Sequence, residues 1–165
     1  MRAMLSALCV STCVGLVALA QSAPSPKQAA AKGATKGATM RQSVLTDKSP
    51  KPIGPYSQAI IENGFIFVSG QGPANPATGT MELTDVKAAT RQTFENVKNI
   101  LAAAGATLDD VVKCNVYLRD INDFAAMNEV YATMFQQPFP ARTTIQAGAL
   151  PGGIPVEIEV VARKR

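Results

Sequence analysis

At 165 residues, with 47% hydrophobic and 17% charged residues, the sequence has the length and composition of one ordinary globular domain. The formal charge of +4 is unevenly distributed, since residues 1–48 contain six basic residues and one acidic residue, whereas residues 49–165 contain ten basic and eleven acidic residues. The larger part is nearly neutral and gives no indication of the basic surface typical of nucleic-acid binding. The sequence contains no histidine, which excludes Ser-His-Asp and Cys-His catalysis, histidine-ligated zinc and a histidine general base.

Residues 1–20 have the features of a secretory signal peptide. Arg2 precedes a long uncharged run, and that run ends in Ala18-Leu19-Ala20. Small residues at positions −3 and −1 are typical of a signal-peptide cleavage site. We therefore expect cleavage after Ala20, export to the periplasm or the exterior, and no membrane attachment after cleavage. An uncleaved N-terminal anchor is the alternative.

Residues 21–44 are predicted to be a flexible linker that leads into a domain at residues 45–165. The linker is rich in Lys, Ala, Gly, Thr and Gln and offers little apolar surface to offset the entropy of ordering. Cys9 and Cys13 would leave with the signal peptide, so the mature chain would keep Cys114 alone. No intrachain disulfide is then expected.

The domain begins with a predicted β-hairpin. Residues 59–61 and 65–69 flank Asn63-Gly64, a dipeptide typical of tight two-residue hairpin turns. Residues 73–80 are rich in Pro, Gly, Asn and Thr and are predicted to form a loop.

An amphipathic helix follows, beginning near Asp85 with Thr84 as its cap and ending at Gly105. Apolar and small residues recur at helical spacing and predict one buried face. These residues are Val86, Ala89, Thr93, Val97, Ile100, Leu101 and Ala104.

The second half of the domain predicts a strand at residues 111–119, a helix at 123–135, and strands at 142–146 and 156–163. In the first of these strands the predicted apolar face contains Val112, Cys114, Val116 and Leu118, and the opposite face contains Val111, Lys113, Asn115 and Tyr117. The predicted order is strand, strand, helix, strand, helix, strand, strand, which is an α+β domain.

Two helices can cover only one face of such a sheet. The predicted uncovered face carries Val111, Tyr117 and Val161 among polar groups. Such a face is too apolar for free exposure, so we expect it to mediate self-association.

Four residues are candidates for function, each with a simpler alternative. Arg142 opens a strand and is either a surface residue or a functional one. Glu157 lies on an otherwise apolar strand and is either part of a solvated face or a buried carboxylate with a partner. Tyr56 is either a turn-packing aromatic or a pocket residue. Cys114 is more readily explained as a buried packing residue than as a nucleophile.

The order and spacing of five short segments resemble those of the Rid (YjgF-type) family. The resemblance extends over residues 45–165. The segments are Gly54-Pro55-Tyr56-Ser57-Gln58-Ala59, Val68-Ser69-Gly70-Gln71, Asn122-Asp123-Phe124, Phe139-Pro140-Ala141-Arg142 and Val156-Glu157-Ile158-Glu159.

The resemblance implies a chorismate-mutase-like fold, in which three subunits form a barrel with the helices outside and clefts at the subunit interfaces. It also implies hydrolysis of reactive 2-imino acids to 2-oxo acids and ammonia, without a cofactor or a metal. A non-catalytic homotrimer that binds small carboxylates is an alternative. An endoribonuclease is a further one, although the nearly neutral domain favours no nucleic-acid partner.

The family's catalytic pair corresponds to Arg142, which would bind the substrate carboxylate, and Glu157, which would orient or activate water. The residues that would line the substrate-binding pocket with Arg142 are Tyr56, Ser69, Gly70, Asn128 and Thr144. Thr144 stands where many family members have a cysteine, and it leaves the substrate range open.

Overall fold

The structure, a computed structural model, describes residues 41–165, and the predicted signal peptide and most of the predicted linker lie outside them. The described part is a mixed six-stranded sheet with two helices, which confirms the α+β prediction. Its elements are β1 (Gln42–Val44), β2 (Ala59–Glu62), β3 (Phe65–Gln71), α1 (Val86–Ala103), β4 (Val111–Leu118), α2 (Phe124–Met134), β5 (Ala141–Gln146) and β6 (Val156–Arg163).

The strands lie in the order β1-β2-β3-β6-β4-β5. All neighbouring pairs are antiparallel except β4 and β5, which run parallel because α2 connects them. As the last strand in this order, β5 forms one edge of the sheet. The two helices contact each other and pack on the same face of the sheet, where the hydrophobic core lies.

The ends of α1 are fixed by local chemistry. Asp85 is the N-terminal cap, since its Oδ1 accepts hydrogen bonds from the backbone N–H groups of Lys87 (2.8 Å) and Ala88 (3.2 Å). The predicted cap, Thr84, instead donates its backbone N–H and its hydroxyl to Glu82. At the other end Gly105 has φ +78°, a conformation that favours glycine and confirms the predicted end of the helix.

The strand β1 was not predicted and falls within the range assigned to the linker. It pairs with β2 through Gln42, Ser43 and Val44, and the Val44 side chain is buried. Three residues are too few to show an alternating pattern. Their extended conformation depends on main-chain pairing with β2, which is distant in the sequence.

The face assignment of β4 needs one correction. Val111 is buried and Val112 is 44% exposed, which is the reverse of the prediction. The pairing of β4 with β6 shifts register between Val111 and Lys113, so a β-bulge inserts one residue and inverts the alternation at this end. Val111 thus belongs to the core and not to the uncovered face.

The uncovered face has an apolar border around a polar centre. Phe65, Phe67 and Ile145 are between 41% and 48% exposed. At the centre, the Glu159 carboxylate accepts hydrogen bonds from Asn115 Nδ2 (2.7 Å) and the Tyr117 hydroxyl (3.0 Å). Because these apolar side chains are exposed, we still expect this face to mediate self-association.

Candidate active site

The Arg142 guanidinium is held by three side chains of α2. Arg142 pairs with the fully buried Cys114 in the sheet, so its side chain points to the helix-covered face. Its Nη1 donates a 2.8 Å hydrogen bond to Asn128 Oδ1. The guanidinium carbon lies 4.3 Å from the ring centroid of Tyr131 and 5.6 Å from that of Phe124. These three side chains share one helix face because they lie four and three residues apart.

No carboxylate of the described residues forms a salt bridge with Arg142. The side chain is half-buried at a cleft of about 260 Å³ lined by Asn128, Tyr131, Phe139 and Pro140. A guanidinium has five N–H donors in a planar fork, and the Asn128 bond uses only one of them. An unpaired positive charge with free donors is suited to an anion, above all to a carboxylate bound through two parallel hydrogen bonds.

The Glu157 carboxyl group lies on the opposite face of the sheet. It pairs with Tyr117 in the register of β4 and β6, and its neighbours Val156 and Ile158 point into the core. Burial raises the pKa of Glu157, and the charge of nearby Glu159 raises it further. A carboxyl group with a raised pKa exchanges protons more readily near neutral pH than an ordinary glutamate does.

Glycine at position 70 makes room for this carboxyl group. A Cβ at Gly70 would overlap with Oε1 of Glu157, so any larger residue would displace the carboxylate. The pairing of β3 with β6 shifts between Val68 and Gln71, which places Ser69 and Gly70 at an irregularity of the ladder. The backbone here is held by other hydrogen bonds, since the Gln71 side-chain amide donates to the carbonyl oxygens of Ser69 (3.0 Å) and Gly70 (3.1 Å).

Tyr56, Ser69, Gly70 and Glu157 line one cleft of about 440 Å³. The Ser69 hydroxyl donates to the Ser57 carbonyl (2.7 Å), which fixes the side chain. The Tyr56 hydroxyl accepts a long hydrogen bond of 3.3 Å from the backbone N–H of Ile53, and the side chain is 47% exposed.

The predicted site residues therefore form two separate groups within one chain. One group joins Arg142 to Asn128, and the other joins Glu157 to Tyr56, Ser69 and Gly70. Because Arg142 and Glu157 project from opposite faces of the sheet, they cannot contact one small substrate within the same chain.

Two further candidate residues contribute to neither cleft. Thr144, two residues beyond Arg142, lines neither cleft, and its Oγ1 is buried without a hydrogen-bond partner among the described residues. Cys114 is fully buried, and burial raises the pKa of its thiol to about 12. That pKa agrees with a packing residue and not with a nucleophile.

Phe124 and Tyr131 were missed as site residues. Both lie within the second predicted helix, at residues 123–135, and no functional role was assigned to either. Their rings also form the surface on which Arg142 rests. The spacing of Phe124, Asn128 and Tyr131 on one helix face was visible in the sequence, but nothing in it placed that face against the start of β5.

Within residues 41–165, no group of three or more His, Cys, Asp or Glu side chains is arranged to hold a metal ion. In the same range, no helix has the length and apolar character needed to cross a membrane.

Comparison with known proteins identifies the family. A family model described as Endoribonuclease L-PSP matches residues 46–164. A RutC family protein of Pyrococcus horikoshii is 50% identical over 125 residues, which are 76% of this chain and 99% of that protein. A 2-iminobutanoate/2-iminopropanoate deaminase of Capra hircus is 46% identical over 123 residues, which are 74% of this chain and 90% of that protein. The crystal structure of E. coli TdcF with bound serine has 38% identity and a TM-score of 0.72, and the match covers 75% of this chain and 99% of that chain.

The six-stranded sheet with two helices is thus an α+β domain whose fold matches that of TdcF. The chain belongs to the Rid (YjgF-type) family, as its five sequence segments indicated.

Proposed function

We propose that this protein hydrolyses reactive 2-imino acids to 2-oxo acids and ammonia. The observation that carries the proposal is the Arg142 guanidinium, which is held by Asn128, Tyr131 and Phe124 and is not paired with a carboxylate of the described residues. Its free N–H groups suit the carboxylate that every 2-imino acid carries. Two further findings support it: one relative bears the name of such a deaminase, and TdcF was crystallised with serine, which has the same carboxylate.

The active site is completed between subunits of a homotrimer. Arg142 and Glu157 of one chain face opposite sides of the sheet, so a substrate that contacts both needs Arg142 from one subunit and Glu157 from its neighbour. The exposed Phe65, Phe67 and Ile145 offer an apolar surface for such contacts. A barrel of three sheets with the helices outside would bring Arg142 of one subunit to Glu157 of the next, and it would also bury these apolar side chains.

In this site Arg142 fixes the substrate carboxylate, and Glu157 transfers protons. A water oxygen bonds to the imine carbon, Glu157 accepts a proton from that water, and the imine nitrogen takes up a proton from solvent. In the resulting carbinolamine the C–N bond breaks and the C=O bond forms, while the hydroxyl group releases its proton to solvent. Glu157 returns its proton to the departing nitrogen, which leaves as ammonia. The raised pKa of Glu157 suits both the uptake and the return of the proton. The remaining rate acceleration comes from positioning the substrate next to the water.

The test of the activity is an imine-decay assay. An amino-acid oxidase generates the imine, semicarbazide captures what remains, and the semicarbazone is followed by absorbance. The purified protein is expected to lower the semicarbazone signal in proportion to its concentration. An unchanged signal at micromolar protein would rule out the proposed activity.

The shared site is tested by mixing two inactive variants. Arg142→Ala and Glu157→Gln subunits, co-expressed in equal amounts, should form mixed trimers in which about a quarter of the sites combine an intact Arg142 with an intact neighbouring Glu157. We expect about a quarter of wild-type activity, whereas each variant alone should be inactive. Co-expressed trimers without activity would contradict a site shared between subunits, and light scattering that returns a monomer would contradict the trimer.

An alternative is a trimer that binds carboxylates without turnover. Glu157→Gln separates the two functions, because it should remove turnover and leave the affinity for a 2-oxo acid unchanged. The family description also names an endoribonuclease. The excess of one acidic residue over residues 49–165 does not favour RNA binding, and incubation of residues 41–165 with RNA would test it.

We also propose that the protein is exported, because residues 1–20 end in Ala18-Leu19-Ala20. Mass spectrometry of the protein from its native cells should find Gln21 at the N-terminus in an extracytoplasmic fraction. An intact Met1 in the cytoplasmic fraction would contradict export.

A further inference from the structure

The cleft beside Glu157 is lined by both polar and apolar residues. Ser69, Gly70 and Glu157 provide the polar groups. The apolar lining residues include Ala74, Met81, Pro151 and Ile154, which we call the apolar wall. The proposed chemistry uses the polar groups and leaves the apolar wall without a role.

The apolar wall is held in place before any ligand binds. A β-bridge joins Ala74 to Met81. The fully buried Asn96 of α1 donates its amide hydrogens to the carbonyl oxygens of Gly72 (3.0 Å) and Ala74 (2.8 Å), which fixes this segment to the core. Ile154 is 6% exposed, and its Cδ1 lies so close to Gly72 that a Cβ there would approach it to 2.8 Å. A preformed wall binds an apolar group without a further ordering cost.

The wall also lacks charge. Among the described residues that line the cleft, only Lys51 and Glu157 are charged. Lys51 is largely exposed and lies 3.4 Å from Asp47, so its charge is partly compensated. An acidic substrate side chain would meet no free positive charge on this wall and would lie near the Glu157 carboxylate.

The volume of the cleft also favours a long apolar side chain. Within a single chain, the cleft volume of about 440 Å³ lies within the range typical of small-molecule sites. The α-carboxylate and the imine are accounted for by Arg142 and Glu157 in the proposed function. A methyl side chain would leave most of the wall in contact with water, whereas each additional buried CH₂ group favours binding by about fourfold.

We propose that the apolar wall binds the side chain of the substrate, so that the protein prefers 2-imino acids with long apolar side chains over those derived from alanine or glutamate. This inference rests on the proposed deaminase function. Met81 and Ile154 are the residues that set the preference.

The experiment compares three imines in the full trimeric protein. A D-amino-acid oxidase generates the first two from D-leucine and D-alanine, and a D-aspartate oxidase generates the third from D-glutamate. D-Amino acids can be used because the imine carbon is no longer a stereocentre. We expect kcat/KM for the leucine-derived imine to exceed that for the alanine-derived imine by on the order of tenfold, since the half-open wall buries only part of three extra carbons. The glutamate-derived imine should be the poorest of the three.

Met81→Ala and Ile154→Val then locate the preference. Each should lower kcat/KM for the leucine-derived imine by about threefold to fivefold and leave the alanine-derived imine within twofold. Leu83→Ala is the matched control, because Leu83 is 40% exposed on the same segment but does not line the cleft. Met81 is itself 49% exposed, so its truncation should not unfold the protein.

A binding measurement makes the outcomes separable. Calorimetry with the unreactive 4-methyl-2-oxopentanoate and pyruvate should show the same preference, and Met81→Ala should reduce it. Equal turnover of the leucine- and alanine-derived imines, or equal effects of Met81→Ala on both, overturns the inference and leaves the deaminase function intact. If no imine is hydrolysed and neither oxo acid binds, the proposed function fails and the inference fails with it.

Discussion

Arg142 and Glu157 lie on opposite faces of one sheet, and the fold positions them by different means. Arg142 is held by side chains of a single helix, through one hydrogen bond and two aromatic rings. Glu157 is accommodated by the backbone, since the irregularity at Ser69 and Gly70 leaves space for its carboxyl group. Changes in the supports of Arg142 should therefore lower activity gradually, whereas a single carbon atom added at Gly70 should already displace the Glu157 carboxylate.

The largest effect should come from Arg142→Ala. Loss of a two-bond contact to the substrate carboxylate in a partly desolvated cleft should lower kcat/KM by about a hundredfold or more, equivalent to about 3 kcal/mol. Arg142→Lys should restore little, because an ammonium lacks the planar fork. Arg91→Ala, which removes an exposed arginine of α1, is the control. A fully active Arg142→Ala trimer would show that the carboxylate is bound elsewhere.

Glu157→Gln should reduce kcat by about a hundredfold while KM changes little, because proton transfer is lost and the shape is kept. Burial raises the folded-state pKa of Glu157 above its value in the unfolded chain, so between these two pKa values the folded protein binds more protons. The contribution of Glu157 to the free energy of unfolding therefore falls as the pH rises through this interval. The variant should consequently melt at a slightly higher temperature than the wild type at neutral pH. Glu95→Gln, on the exposed face of α1, should change neither rate nor melting temperature. An unchanged kcat would remove Glu157 from the mechanism.

Gly70→Ala tests the backbone support of Glu157 directly. The added methyl group would overlap with the Glu157 carboxylate, so we expect about a tenfold loss of kcat with retained trimer assembly. Gly148→Ala is the matched control, since nothing lies within 4 Å of a Cβ at that position and its backbone is not in the left-handed region. Equal activity of Gly70→Ala and Gly148→Ala would mean that displacing the Glu157 carboxylate does not affect catalysis.

The smallest effect should follow from changes beneath Arg142. Tyr131→Leu removes the ring that lies 4.3 Å from the guanidinium, and a cation–π contact of about 1 kcal/mol corresponds to about a fivefold rise in KM. Tyr131→Phe keeps the ring, and the Tyr131 hydroxyl has no hydrogen-bond partner among the described residues, so KM should stay near the wild-type value. Phe135→Leu, in the same aromatic cluster but away from Arg142, is the control. If all three variants change KM equally, the effect is one of core packing.

The accuracy of the sequence predictions depended on how local the underlying interactions are. The buried face of α1 and the bounds of β6 were predicted correctly, because they follow from residue spacing within one segment. The strand β1 and the inverted faces of Val111 and Val112 were not, because both depend on pairing with a distant strand. Among the site residues, the motifs identified Arg142 and Glu157, but no motif indicated that Phe124 and Tyr131 support the arginine.

The sequence by itself determined the family, the mixed helix and strand content, and the exclusion of histidine chemistry, since each of these depends on residue identity and short-range spacing. Only the tertiary structure decided that Arg142 and Glu157 lie on opposite faces and that Arg142 rests on α2. Alternation along a strand fixes which residues share a face within that strand, but the face that meets the helices is chosen by strand order and by bulges. These depend on contacts between segments far apart in the chain, and spacing along the sequence does not encode them.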